Sequence, residues 1–257
     1  MNIVLFTPEE IRAPLPLSDE RAKHITAVLH KTAGDTFEAG IVNGRAGTAR
    51  IESIRSGGIE FSFEAQSDGK PLYPLTMIIG FPRPIQLKRL LRDVASLGAA
   101  AVHLTGTELG EKSYMKSSLV ERGAAARMLQ DGSIQAKSTH VPELYLHTSL
   151  GECLTALSSR NAAGKTSGAQ PVRAALDNVR PECSLTDHPE IKNAGAAGLR
   201  ERGVIAAVGS ERGWTDNERT LLTDAGFTLC GMGTRILRTE TAATAAAALI
   251  LAQAEFL

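Results

Sequence analysis

The sequence predicts an α/β protein, with a small β-rich domain ahead of a larger domain built on a mostly parallel sheet. Three observations carry this. In residues 1–70, short apolar stretches are separated by the turn-forming pairs "NG", "GG" and "DG". From Leu75 the hydrophobic period lengthens, and strands alternate with helices. Several of those strands, "LTMIIG" and "GVIAAVGS" among them, are unbroken apolar runs, as in a sheet covered on both faces.

Each element follows in order. "NIVLF", "DTFEAGIV", "GTARIESI" and "GIEFSFEAQ" read as strands, the last alternating apolar and polar residues. A helix is expected near Ser18–Leu29, with Ser18 as its cap and Ile25, Val28 and Leu29 on one face. "DGKPLYPL" (68–75) reads as a linker, which sets expected domains at 1–70 and 75–257. After "LTMIIG", the helix "IQLKRLLRDVASLG" places Leu87, Leu90, Leu91, Val94 and Leu97 at helical spacing and closes at Gly98. Strand "AAAVHLTG", helix "SSLVERGAAARMLQDG", strand "ELYLH" and helix "SLGECLTALSS" come next; "RNAAGKTSGAQP" has the composition of a loop. Strands "VRAALDN", "GVIAAVGS" and "FTLCGMG" then alternate with helices to the end of the chain.

Composition narrows the function. The 257 residues are 43% hydrophobic and 22% charged, ordinary for a protein with a full core. No run of 18 apolar residues occurs, and the N-terminus has neither a basic region nor a sustained apolar segment, so a cytoplasmic protein without membrane partners is expected. Cys153, Cys183 and Cys230 stand far apart, and the six histidines show no ligand spacing; no metal is expected. Zero net charge argues against nonspecific coating of nucleic acid. One basic stretch, "FPRPIQLKRLLRD", carries Arg83, Lys88, Arg89 and Arg92 before any acid; it is either a solvated face or a phosphate contact.

Ligands of open α/β sheets bind in the loops at the carboxyl ends of strands. Three such loops have unusual composition: "LDNVRPE" from Leu176, "GSERGWTDNE" from Gly209 and "GMGTRILRTET" from Gly231. Thr215 to Glu218 form a capping box that starts a helix near Asp216. Gly209 and Gly213 let the preceding backbone turn and face a ligand, and Glu211 suits a cationic or hydroxyl-bearing one. Gly231 and Gly233 allow close approach, and Arg235 and Arg238 share a side if that segment is helical. Thr239 or Thr241 is the expected cap of a final helix whose stripe is Ala245, Leu249, Ala252 and Phe256, with Ala246 and Ile250 beside it. So many alanines admit another backbone, from the sheet or from a partner subunit. Neither G-x-S-x-G nor His-Glu-x-x-His occurs, so hydrolase and zinc-protease readings lack support.

"VGSERGWTDNE" followed by "GMGTRILRTETA" resembles the RsmE-type family of small-subunit (16S) rRNA uridine-N3 methyltransferases, and "HITAVLHKTAGD" (24–35) is similar to its N-terminal signature. The chain departs from the family pattern at His30, Ser210 and Arg212 and in "DVASLG" (93–98). The resemblance implies a PUA-like barrel followed by a SPOUT-type domain with a deep trefoil knot, acting as a homodimer in rRNA processing. It implies S-adenosyl-L-methionine held by Leu176, Asp177, Gly209, Ser210, Glu211, Gly213, Gly231, Met232, Gly233, Ile236 and Leu237. Ribosomal RNA, or the small ribosomal subunit, would be gripped by Arg83, Lys88, Arg89, Arg92, His24 and His30.

Uridine N3 must lose a proton, and the negative charge left behind spreads onto its carbonyl oxygens. Arginine stays protonated, so Arg238, or Arg235, is expected to stabilise that charge instead of acting as base. Glu240 or Glu211 is the candidate base, with favourable placement at a helix N-terminus as the plainer role for Glu240. Two other readings are a noncatalytic RNA-binding protein that keeps the fold and a metabolic enzyme binding a nucleotide phosphate at "GSERG".

Overall fold

The computed structural model describes residues 2–117, 123–164 and 170–257. The chain divides into two compact units, Met1–Leu72 with Gln130–Val141, and Tyr73–Leu129 with Pro142–Leu257. Parts of the sequence-predicted helix "SSLVERGAAARMLQDG" and loop "RNAAGKTSGAQP" lie outside the described residues.

The first unit contains a four-stranded sheet, β1 (Val4–Phe6), β2 (Thr36–Ile41), β3 (Ala46–Arg55) and β4 (Gly58–Ser67), paired in that order. β1 runs parallel to β2, and the other pairs are antiparallel. Its core gathers Val4, Phe6, Ile25, Phe37, Ile51 and Ile59. Helix α1 (Glu20–Lys23) continues into a π-helical turn, His24–Val28. Asp19, not Ser18, caps it, accepting from the Arg21 amide at 2.8 Å. The Arg21 guanidinium then joins three places, donating to Glu10, Asp19 and the Leu5 carbonyl. Gln130–Val141 belongs to this unit because its backbone binds the Asn43–Gly44 turn. The Asn43 amide donates to the Thr139 carbonyl at 2.8 Å, the Thr139 hydroxyl to the Gly44 carbonyl at 2.6 Å, and the Val141 amide to Asn43 Oδ1 at 2.9 Å.

The second unit is built on seven strands: β5 (Tyr73–Gly80), β6 (Ala99–Thr105), β7 (Glu143–His147), β8 (Val172–Leu176), β9 (Cys183–Ser184), β10 (Val204–Val208) and β11 (Thr228–Gly231). All pairs are parallel, in the order β7-β6-β5-β10-β8-β11-β9. β10 is inserted between β5 and β8, and β11 lies on the far side of β8. The connection from β5 leads to β6 on one side and that from β10 to β11 on the other, so the topological switch lies between β5 and β10, where an α/β sheet opens a crevice.

Helix α2 (Pro84–Ser96) starts with proline at its first turn and buries Leu87, Leu90, Leu91 and Val94. Helices α3 (Ala124–Gln135), α4 (Leu150–Gly164), α5 (Pro189–Arg202), α6 (Asp216–Asp224) and α7 (Thr239–Gln253) follow, beside a one-turn helix at Lys112–Met115 and 3-10 turns at Glu10–Arg12 and Leu185–Asp187. α4 runs to Gly164, into the stretch read from composition as a loop. α7 buries Ala243, Ala246, Ala247, Ile250 and Leu251. The expected stripe is thus misplaced: Ala246 and Ile250 are in the core, but Leu249 is 37% exposed and Ala252 faces solvent. No described helix is long and apolar enough to cross a membrane.

Candidate functional site

Three loops meet where β8, β10 and β11 end. The first begins at Asp177, whose side chain is almost wholly buried. Its amide donates to the Cys230 carbonyl at 2.9 Å, joining the first loop to the strand that leads to the third. Its Oδ1 accepts from the Val179 and Arg180 amides at 2.6 and 3.1 Å, and its Oδ2 accepts from Arg219 Nε. Burial alone would raise this carboxyl, but the Arg219 guanidinium and the two amides outweigh it and hold Asp177 below the ordinary range. With both oxygens engaged, Asp177 orders its own loop.

The second loop turns at Gly213, whose φ of +70° is left-handed, and its amide donates to the Ser210 carbonyl at 2.9 Å. A side chain at Gly209 would stand 3.0 Å from the Gly213 backbone. The capping box is present. The Glu218 amide donates to the Thr215 hydroxyl at 3.1 Å, and the Thr215 amide to Glu218 Oε2 at 3.0 Å. Glu218, 2% exposed, also accepts from the Glu108 amide at 2.9 Å, while Thr107 donates to Ser210 Oγ at 2.9 Å. The loop after β6 therefore braces the loop after β10. Trp214 is buried and donates to the Leu176 carbonyl at 3.0 Å.

The third loop, 232–238, is not helical, so Arg235 and Arg238 do not share a helix face as the sequence spacing allowed. Arg238 itself occupies the N-cap of α7 with no side-chain cap bond; Thr239 is already the first helical residue and is buried, and Thr241 is exposed. Neither threonine caps this helix. Glu240 lies in its first turn, where a carboxylate opposes the positive end of the helix.

Between the loops lies a cavity of about 290 Å³. Leu176, Asp177, Gly209, Ser210, Glu211, Gly213, Met232, Gly233, Ile236, Leu237 and Arg235 line it. Gly231, Arg238 and Glu240 do not. The sequence reading omits Asn178, Val179, Val208, Arg212, Cys230, Thr239 and Ala242, which also line the wall. Val208 is the last residue of β10 and Cys230 the penultimate residue of β11. Their place at the strand ends was the available signal.

Of the basic residues, Arg83 is the N-cap of α2, and Lys88, Arg89 and Arg92 lie exposed along that helix. The Arg83 amide donates to Glu211 Oε1 at 3.1 Å, with its guanidinium 3.8 Å away. Glu211 thus joins the cavity wall to the start of the basic helix. In the first unit, His30 is exposed with φ +52°, while His24 is half-buried in the π-helical turn and its Nε2 finds no partner among the described residues.

His103, His147 and Cys153, dispersed in sequence, do converge with ligand atoms within 4.8 Å of one another. Histidine spacing along the chain could not show this, because β6 and β7 bring the pair together as register-adjacent strands. His103 Nδ1 and His147 Nε2 lie 2.9 Å apart, so a donor on one ring and an acceptor on the other satisfy the pair without an ion.

A parallel sheet with a glycine-walled cavity at the carboxyl ends of its strands defines an α/β protein with a candidate ligand site near its topological switch. A family model described as an RNA methyltransferase domain matches residues 68–251. The ribosomal RNA small subunit methyltransferase E of Treponema pallidum is 41% identical, over 99% of this chain and 92% of its own length. A second such protein, from Borreliella burgdorferi, is 30% identical over 96% of this chain and 95% of its own length. The crystal structure of the Neisseria gonorrhoeae enzyme of that name, bound to S-adenosyl methionine, superposes with a TM-score of 0.75 at 21% identity, covering 98% of this chain and 97% of that one. A probable rRNA-methyltransferase from Porphyromonas gingivalis gives 0.76 at 20% identity with full coverage of both chains, 100% each. The chain belongs to the RNA methyltransferase domain family, within the RsmE-type group of small-subunit ribosomal RNA methyltransferases.

Proposed function

We propose that this protein transfers a methyl group from S-adenosyl-L-methionine to N3 of a uridine in small-subunit ribosomal RNA. The observation that carries the reading is the cavity at the ends of β8, β10 and β11, in a chain of this family. Its wall fits the cofactor. Leu176, Val208, Ile236 and Leu237 offer apolar surface to a heterocycle, and glycine loops expose backbone donors and acceptors. When bound, the cofactor supplies an electrophilic methyl carbon on a sulfonium.

The chain's part is to place, orient and neutralise. Asp177, fixed by Arg219, holds the first loop, and Glu218 holds the second. For N3 to accept that methyl group it would have to lose its proton, and this chain's residues would have to take the proton and hold the negative charge that remains. Arg235, on the wall, and Arg238, one residue before the wall residue Thr239, are proposed to stabilise negative charge on the uracil oxygens. Glu240 is the side chain proposed to take the proton, with Glu211 engaged at Arg83.

The target base leaves its stack to reach the cavity. Arg83, Lys88, Arg89 and Arg92 are proposed to hold flanking phosphates, with His24 and His30 contributing from the first unit. That unit's residues 1–70 carry eight Lys/Arg against ten Asp/Glu, so its grip comes from one face. Its four-stranded sheet and the extra Leu15–Ile59 bridge support a PUA-like barrel. α7 leaves β11 yet packs on β5, β10 and the Leu185–Asp187 turn, which supports a trefoil-knotted C-terminus. A cytoplasmic homodimer using the solvent side of α7 completes the proposal.

Calorimetric titration with S-adenosylhomocysteine, paired with a methyl-transfer assay on small-subunit RNA, tests this. Wild type and Arg238→Ala are expected to bind alike, with transfer by the variant reduced on the order of 100-fold or more. RNA affinity without cofactor affinity would favour the noncatalytic RNA-binding reading.

A further inference from the structure

We infer that Cys183 and Cys230 form an oxidisable thiol pair in the wall of the cavity, and that their disulfide weakens cofactor binding there. The second half rests on the cofactor reading above. The two residues are register partners in the parallel β9–β11 pair, with sulfurs 3.8 Å apart. Neighbouring strands stand about 4.8 Å apart, inside the range of about 4.4–6.8 Å that a disulfide spans between Cα atoms. Closing the bond draws the sulfurs from 3.8 Å to about 2.0 Å, which the edge position of β9, only two residues long, allows.

Access is asymmetric. Cys183 is half-exposed, whereas Cys230 is buried and lines the cavity. Burial, followed by the neighbouring Cys183 and Glu182, pushes the Cys230 thiol up and keeps it protonated, so Cys183 is the sulfur that meets a peroxide first. Its thiolate bonds to one peroxide oxygen, the O–O bond breaks, and the other oxygen departs as water once protonated. The Cys183 sulfenic acid is then attacked by Cys230 sulfur. The S–S bond forms, and the sulfenic oxygen leaves as a second water with the Cys230 proton. Two thiols lose two electrons and two protons, and the peroxide becomes two waters.

The link from sulfur to ligand is short. The Cys230 carbonyl accepts the Asp177 amide at 2.9 Å, and a side chain at the next residue, Gly231, would meet Pro181 at 3.3 Å. Moving Cys230 toward β9 therefore shifts the first and third loops together. Cys153 is buried beside His103 and His147 and takes no part.

The test treats the reduced full-length protein with hydrogen peroxide, maps thiols by mass spectrometry, and titrates S-adenosylhomocysteine before oxidation, after it, and after reduction with dithiothreitol. The expected result is an intramolecular 183–230 cross-link and affinity weakened at least about fivefold, restored by the reductant and unchanged by peroxide in Cys183→Ser. Over-oxidation of Cys183 without a cross-link, or a cross-link with unaltered affinity, would overturn the inference. If reduced protein binds no S-adenosylhomocysteine, the cofactor reading fails and the affinity consequence with it, while the mapping still decides whether the thiol pair exists.

Discussion

Asp177 and Arg219 show how one buried charge organises the wall of the candidate site. The carboxylate sits almost without solvent, yet each oxygen has a donor, and the arginine is also tied to Asp216 at 2.9 Å. Removing one member strands the other, which typically costs about 3–5 kcal/mol when a buried pair is broken. Asp177→Asn is therefore expected to lower the urea midpoint and to weaken S-adenosylhomocysteine binding; a variant as stable as wild type would contradict the role. A carboxyl held below its ordinary 3.8 stabilises the fold above that pH, and the contribution is lost as pH falls through the lowered folded value. His147 acts in a separate window. Burial pushes it below its ordinary 6.5, against a smaller opposing effect of Glu152, so it stays neutral when folded. The unfolded chain binds that proton more readily, so stability falls as pH drops from 6.5 toward the lowered value. Thermal unfolding across pH 5 to 7 should show that slope, and His147→Gln should flatten it. Residue chemistry was legible where partners are close in sequence. The Thr215–Glu218 box could be read directly, but the Arg219–Asp177 pair spans 42 residues and has no local signature.

At the scale of elements, α7 explains a failure of periodicity. Nearly every position of "TAATAAAALILAQ" is small or apolar, so spacing alone could not choose the buried face. The sheet and α2 choose it, and they select Ala243, Ala246, Ala247 and Ile250. Ala247→Leu should overpack this contact and cost about 1–3 kcal/mol, whereas Leu249→Ala, on the 37% exposed side, should leave monomer folding nearly unchanged. Chemical denaturation of the two variants distinguishes the faces. α2 was legible from its second turn, where apolar and basic residues separate: four leucine and valine positions are buried and Lys88, Arg89 and Arg92 are outside, while Ile85 in the first turn is exposed. If those cations hold phosphates, Lys88→Ala should weaken RNA binding evenly across sequences and reduce the salt slope by about 1. A loss confined to one RNA sequence would instead point to base reading.

For the whole molecule, alternation of strands and helices was enough to anticipate a parallel sheet, but not its order. Strand order depends on which crossovers the chain takes, and hydrophobic period carries no record of them. Placing β10 between β5 and β8 is what brings "LDNVRPE", "GSERGWTDNE" and "GMGTRILRTET" to one cavity. Residues 130–141 show the same limit: the sequence reading kept them in the second domain, but Thr139 and Asn43 hold them in the first unit through backbone and side-chain hydrogen bonds that no composition shift announces. The cavity near the topological switch, as the cofactor site, is the centre of the proposed chemistry. A crystal structure of the protein with S-adenosylhomocysteine tests it directly. The ligand is expected between the Asp177, Ser210 and Met232 loops, with Arg235 facing it. A ligand bound elsewhere, or a cavity left empty at saturating concentration, would contradict it.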